Sequence, residues 1–337
     1  VGRYIARRLV LMVVAALGVT LISFIVSRAV PTDPVVSNLG QIASQRPEIV
    51  KAFREKWGLD RPLHEQYLAF VRNLARGDLG TSINTRRSVT TDLAHFMPAT
   101  IELATAAIVF ALTLGLPLGI FAAIRRDGPI DHLARLVSLI GVSIPIFWLA
   151  TVSLVLFYAT LQWTVGPGRL GPQMEAPTFV TGFYTVDSLL DGDSEAFWSA
   201  LAHLVLPGLV LASSIMGLVT RVTRSSLLEV LSQDYMRTAR AKGLREFHVI
   251  ARHALRNALI PTVTILGLAY GGLLSGAVMT ETIFAWPGLG RYAFQSVITN
   301  DFPGIMGVTF VIGIMYVVVN LVVDVLYAWL DPRIHYA

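Results

Sequence analysis

Long uninterrupted apolar runs, not alternation, dominate the pattern of hydrophobic and polar positions. Six of them, Leu9 to Val26, Leu103 to Ile124, Leu136 to Leu161, Ala200 to Thr220, Ala258 to Thr280 and Gly304 to Val323, contain no Asp, Glu, Lys or Arg. A helix crosses a hydrocarbon core with roughly 17–25 such residues. One charged side chain at mid-helix costs about 2.5–3.5 kcal/mol on insertion scales. The pattern therefore predicts six transmembrane helices in an all-α, polytopic membrane bundle. Barrel strands would be shorter and would alternate in polarity.

The stretches between the runs carry their own punctuation. Pro47 to Trp57, closed by Gly58, reads as a short helix with a glycine stop. A second helix begins at Pro62, carries Leu63, Tyr67, Phe70, Val71 and Leu74 on one face, and ends at Gly77. The chain then divides into residues 1–27, an N-terminus and first span; 28–98, an external helical subdomain; and 99–337, a core bundle containing a loop at 221–257. Within the core, Ser143 and Pro145 interrupt the third run, and Ser213 and Ser214 place hydroxyls near the middle of the fourth. All four are candidate pathway residues. A kink satisfied by a neighbouring helix, and hydroxyls bonded to their own helix, account for the same residues. Gly115 with Gly119, Gly267 with Gly271, and Gly272 with Gly276 form small-x-x-x-small pairs, which point to close helix packing.

Charge adds an orientation. Arg3, Arg7 and Arg8 precede the first run, Arg125, Arg126 and Arg135 flank the second loop, and residues 221–257 hold Arg221, Arg224, Arg237, Arg240, Lys242, Arg245, Arg252 and Arg256. The segment from Gln162 to Ser199 sets Arg169 against Glu175, Asp187, Asp191, Asp193 and Glu195. Basic loops stay inside, so both termini are expected in the cytoplasm and the acidic loop outside. The net charge of +5 then reports topology and implies no nucleic acid. Asp187, Asp191 and Asp193 are candidates for an external protein contact, with a hydrated loop as the alternative. Glu102 and Glu281 sit where interfacial anchors would, and Glu281 is also a candidate external contact.

Composition agrees with a bilayer: 54% of residues are hydrophobic and 15% charged, too few charges to cover a soluble surface of this size. With no cysteine, thiolate chemistry is excluded. The three lysines, Lys51, Lys56 and Lys242, are followed by Ala52, Trp57 and Gly243, so a Gly-Lys-Ser/Thr phosphate loop is missing. His-Glu-x-x-His and Gly-x-Ser-x-Gly are missing too, and His248 and His253 stand five apart, a poor metal spacing on a helix. No catalytic residue, metal site or cofactor is expected in this chain.

The loop at 221–257 is the most informative segment. Asp234 reads as an N-cap, Tyr235 to Lys242 as about two helical turns, and Gly243 as the left-handed stop, with a helix resuming from Phe247 into the fifth run. Taken alone, these residues fit a solvated basic loop held at anionic lipid as well as a helix that a partner grips.

Tyr235-Met-Arg-Thr-Ala-Arg-Ala-Lys-Gly-Leu244 resembles the cytoplasmic coupling loop of ABC importer permeases, with Arg237-Thr238-Ala239 in place of the general Glu-Ala-Ala. Other segments are similar to the B-type permeases of dipeptide and oligopeptide importers in the same order. They include Pro31-Thr-Asp-Pro34, Gly58-Leu-Asp-Arg-Pro-Leu63, Gly77-Asp-Leu-Gly80, Ser143-Ile-Pro-Ile-Phe147 and Glu281-Thr-Ile-Phe-Ala-Trp-Pro-Gly-Leu-Gly290. The resemblance implies the type I ABC importer permease fold and a place in the cytoplasmic membrane of a prokaryote. It implies as partners a homologous C-type permease, two ATPase subunits that bind ATP and Mg, an external substrate-binding protein and the lipid bilayer. It also implies that Tyr235, Arg237, Thr238, Ala239, Arg240, Lys242, Gly243 and Leu244 form the ATPase-coupling surface. Peptides are the cargo it implies first, with nickel chelates, glutathione or oligosaccharides as the alternative within the same branch. A gated channel or lipid-bound scaffold is the alternative outside it.

Overall fold

The computed structural model describes residues 13–25, 45–57, 60–275 and 277–330. Among these residues every regular element is helical, apart from an isolated antiparallel bridge between Thr81 and Ser88. The helices are α1 (Val13–Ile25), α2 (Pro47–Trp57), α3 (Leu63–Ala75), α4 (Val89–Ile124), α5 (Pro129–Ser143), α6 (Ile146–Ser153), α7 (Tyr184–Leu190) and α8 (Ser194–Leu231). Then come α9 (Asp234–Ala241), α10 (Glu246–Ala258), α11 (Ile260–Leu274), α12 (Val278–Ile283), α13 (Leu289–Ile298) and α14 (Phe302–Leu330). The ends of the first expected span, the Gly58 stop, Gly276 and both chain termini lie outside the described residues.

Two long helices form the spine. α4 starts where Ser88 Oγ accepts the Thr91 N–H, and α8 starts where Asp193 accepts the Ala196 N–H at 2.9 Å. They pack along their lengths, and this is the most extensive helix pair in the fold. Gly115 and Gly119 make it possible, because a Cβ on either would meet the Met216 or Thr220 carbonyl at 3.0 and 2.7 Å. Thr220 Oγ1 closes the seam by donating to the Gly115 carbonyl at 3.1 Å. Gly267 and Gly271 do the same between α11 and α14, against Val323 and Tyr316.

Three of the expected spans, on α4, α8 and α14, are single continuous helices. The third run is not: α5 and α6 meet at 101°, and α6 passes into a π-helical stretch, Leu154–Thr160. Pro145 disfavours a helical conformation at Ile144, whose φ/ψ of −81°/127° is extended. The fifth run also breaks. α10 bends into α11 by 49° at Leu259, and α11 ends at Leu274, short of the expected Thr280. By length and composition the described chain thus holds three unbroken spans, five if each bent pair is one crossing, with the apolar α1 beside them.

α4 also begins well before its uncharged window and runs unbroken through position 98. Of the face expected on α3, Tyr67, Phe70, Val71 and Leu74 are half-buried while Leu63 is exposed. Tyr67 donates to the Leu17 carbonyl at 3.2 Å and meets Phe24 edge-on, which ties α3 to α1.

Candidate functional site

α9 is a short amphipathic helix seated on the spine. Met236 is fully buried and Ala239 nearly so, in one cluster with Ala123, Leu227, Val249, Ala254 and Ala258. Burying a methionine side chain contributes roughly 1.5–3 kcal/mol, so Met236 anchors a helix of 8 residues too short to persist alone. Ala239 faces this seat and not the outer surface expected of it. Tyr235, Arg237, Thr238, Lys242 and Leu244 are exposed, and so is Phe247 at 76%.

The turn after α9 follows from local chemistry. Asp234 is the first helical residue and pairs with Arg237 at 3.5 Å, while Gln233 occupies the cap position expected for Asp234. An acid in the first turn still favours the helix through its dipole. Lys242 closes the other end, its N–H donating to the Thr238 carbonyl, and Gly243 takes φ +75°. Across the turn Arg240 donates to Glu246 at 2.8 Å, and Asn257 donates to the Tyr235 hydroxyl at 3.0 Å. α9 and α10 are therefore tied at both ends, and α10 leads directly to α11.

Above this seat, the fully buried Asp131 of α5 gathers three elements. It accepts from Arg224 of α8 at 2.5 and 2.7 Å, from Arg135 at 2.6 Å and from the Asp127 N–H at 2.9 Å. Sequence reading missed this cluster, since Arg224 lies 93 positions away from Asp131.

At the opposite end, the acidic residues fold the structure instead of decorating it. Glu281 is 0% exposed, so no surface remains for the external contact expected there. It accepts from Thr100 Oγ1 at 2.8 Å and from the Arg291 N–H at 2.9 Å. A Cβ at Gly288 would lie 2.5 Å from its carboxyl, which explains why the chain carries Pro-Gly-Leu-Gly there. Trp286 completes the stitch by donating to the Ala99 carbonyl at 2.8 Å. Glu102 is likewise no interfacial anchor. It forms a buried ion pair with Arg169, which stacks 3.6 Å over Tyr184, and accepts from the Thr185 N–H at 2.9 Å.

Of the three aspartates, Asp187 is 1% exposed and accepts from Val180 N, Thr181 N, Thr181 Oγ1 and Gly182 N. Asp191 accepts from Thr178 N at 2.7 Å, and Asp193 is the α8 cap. Burial raises the Asp187 carboxyl pKa, but these hydrogen bonds outweigh it and hold the group below its usual value. A depressed pKa stabilises the fold above the unfolded-state value of about 3.9. That stabilisation is lost as pH falls through the folded value. Protection of the Thr181 and Gly182 amides, relative to their exchange in an unstructured chain at the same pH, should therefore hold from neutrality to about pH 4 and fall below it. Asp187→Asn should lower it at neutral pH, and unchanged protection in the variant would refute this role.

Among the candidate pathway residues, Ser143 and Pro145 are exposed at the α5–α6 break. Ser213 is half-buried and donates to its own helix at the Val210 carbonyl, 2.7 Å away, and Ser214 beside it is also half-buried. Gly141 packs against the Ser213 carbonyl, so the break and the hydroxyl pair adjoin.

Residues 115–336 match the family described as the binding-protein-dependent transport system inner membrane component, and residues 1–104 match its N-terminal counterpart. The chain belongs to this family. The permease is 50% identical to the Probable D,D-dipeptide transport system permease protein DdpB of Escherichia coli, over 96% of this chain and 94% of that protein. It is 43% identical to the Di/tripeptide transport system permease protein DppB of Pseudomonas aeruginosa, over 99% of this chain and 98% of that one. It is 37% identical to the Oligopeptide transport system permease protein AppB of Bacillus subtilis, with 99% of each covered. Among solved structures it is similar to a chain of the MetNI methionine ABC transporter in an inward-facing form, at TM-score 0.50 and 17% identity. That match covers 71% of this permease and 96% of that chain, and it supports the type I permease fold. A multi-pass membrane protein of the ABC permease class follows.

Proposed function

We propose that this permease forms half of the translocation pathway of an ATP-driven importer of di- and oligopeptides. It works beside a homologous permease and an external binding protein, and two ATPase subunits that bind ATP and Mg grip α9. The observation that carries this reading is the division of α9 into two faces. Met236 and Ala239 are sunk into the bundle, while Arg237 and Thr238 of the same helix are exposed, as are Lys242, Leu244 and Phe247 just after it. Exposed cations on and just after α9, with an exposed aromatic side chain following them in the chain, are what a docking partner can grip and a merely solvated loop does not need. Because Arg240–Glu246 and Tyr235–Asn257 tie α9 to α10, displacement of α9 carries α10 and turns α11 against α14. The names of the relatives support peptide cargo. Basic loops at one end support cytoplasmic termini and a cytoplasmic α9.

Three experiments test this reading. With no native cysteine, Arg237→Cys should react with a membrane-impermeant thiol reagent in inside-out vesicles stripped of the ATPase subunits and stay unlabelled in right-side-out ones; the reverse would overturn the topology. In the purified complex, ATP turnover stimulated by the loaded binding protein should rise with dipeptides and not with nickel chelates, glutathione or oligosaccharides. In Gly243→Val a Cβ meets nothing within 4 Å, so the substitution acts only through left-handed backbone strain of roughly 1–2 kcal/mol. Stimulated turnover should fall while peptide binding by the binding protein is unchanged. Unaltered coupling would remove α9 from the power stroke.

A further inference from the structure

A cavity of about 580 Å³ opens between α5 and α8, lined by Arg135, Ser138, Leu139, Val142, Arg221 and Ser225 among others. Three observations bear on what it takes. Arg135 directly precedes one uncharged run and Arg221 directly follows another, so two helices running in opposite senses bring their first cations to one level at the edge of the hydrocarbon. Those cations are not equivalent. Arg135 and Arg224 are neutralised by Asp131, whereas Arg221 is exposed and makes no ion pair or hydrogen bond among the described residues. The third observation is Ser138. It is 8% exposed, its Oγ has no hydrogen-bond partner among the described residues, and it lines the cavity. Beside this polar end, Leu139 and Val142 are 66% and 47% exposed and continue the wall along α5. A Cβ at Gly217 would lie 2.8 Å from the Ser138 carbonyl, so the glycine lets α8 come close against α5 beside the cavity.

We infer that this cavity binds the headgroup of an anionic phospholipid, with phosphate on Arg221, a hydroxyl contact from Ser138 and acyl chains along Leu139 and Val142. A small anion would leave the apolar wall bare. A neutral amphiphile would leave Arg221 without a counter-charge. A basic pocket between membrane helices at the headgroup level satisfies both halves of an anionic lipid. The inference takes from the proposed function only the cytoplasmic placement of this end, and it is independent of cargo.

Binding is read on the complete transporter, purified in mild detergent and exchanged into mixed micelles, by native mass spectrometry of retained lipid. One phosphatidylglycerol should stay bound where phosphatidylcholine does not, and inorganic phosphate at millimolar concentration should fail to displace it. Arg221→Gln leaves Asp131 and both its arginine partners in place, and should weaken retention about fivefold. Ser138→Ala should weaken it less. Equal retention by Arg221→Gln, full displacement by inorganic phosphate, or a photocrosslinker at Leu139 that captures the second permease subunit instead of lipid would each overturn the assignment. Because the readout needs neither peptide nor ATP, a failure of cargo recognition leaves it intact. The Arg237→Cys labelling independently reports whether this end faces the cytoplasm.

Discussion

Arg169→Met is expected to cost about 3–5 kcal/mol, the cost of leaving one partner of a buried ion pair without its counter-charge. Arg169 is 6% exposed and Glu102 7%, so neither can turn to water when the other is removed. The arginine does more than neutralise. It donates to the Gly182 carbonyl at 2.9 Å, lies over the Tyr184 ring and reaches towards Trp286 at 5.5 Å. These contacts tie the segment between α6 and α8 to α4 and to the stitch around Glu281. Gly182 sits at φ +79° with a Cβ position only 2.7 Å from Pro98, so the segment already approaches α4 as closely as a backbone allows. Arg169→Met should lower the melting temperature of the purified complex and open residues 165–193 to protease before the rest of the chain. Glu102→Gln in the same chain removes the stranded charge and keeps acceptors for Thr185, so the double variant should recover more than half of the loss. If the single variant melts like the parent, the pair does not hold this end together.

The parts of this fold that were legible in the sequence are those where a single residue's chemistry settles the matter. Charge exclusion marks α4, α8, α11 and α14 because an unpaired ion in hydrocarbon is expensive wherever its neighbours lie. Gly243 announces the end of α9 because only the backbone is involved. Pro145 announces a break, but its 101° angle depends on how α5 and α6 each pack on α8, through Gly141 against Ser213 and Ala150 beside Leu206 and Val210. α4 reaches back to Val89, beyond its uncharged window, because Asp92 and Glu102 are paired by Arg87 and Arg169. Charge exclusion cannot anticipate such pairing. For the same reason Asp187, Glu281 and Glu102 read as surface groups from sequence, although each is an internal acceptor whose donors come from backbone turns or distant helices. Met236 escaped notice because a methionine among arginines gives no sign of which face it will turn inward.

Met236→Ala should uncouple the transporter without disturbing the membrane bundle. Truncating a fully buried methionine costs about 2–5 kcal/mol. Here the loss falls on a helix of 8 residues, held by Met236 and Ala239 and by two polar ties at its ends. The cavity opens towards Leu227 of α8 and Val249, Ala254 and Ala258 of α10, so α9 should loosen in its seat and draw the start of α10 with it while the long α8 persists. Binding-protein-stimulated ATP turnover should fall to the basal rate, and amide exchange over residues 234–241 should accelerate with little change in the spine. Met236→Leu, which conserves volume and typically costs less than 1.5 kcal/mol, should restore most of the coupling; the loss then tracks the seat and not the thioether. Phe247→Ala separates seating from gripping. Its ring is largely exposed, so its removal should leave α9 protected from exchange and still weaken association with the ATPase. If Met236→Ala couples normally while its helix exchanges freely, a rigidly seated α9 is not the element through which force enters. If Phe247→Ala alters nothing, the outward face belongs to solvent.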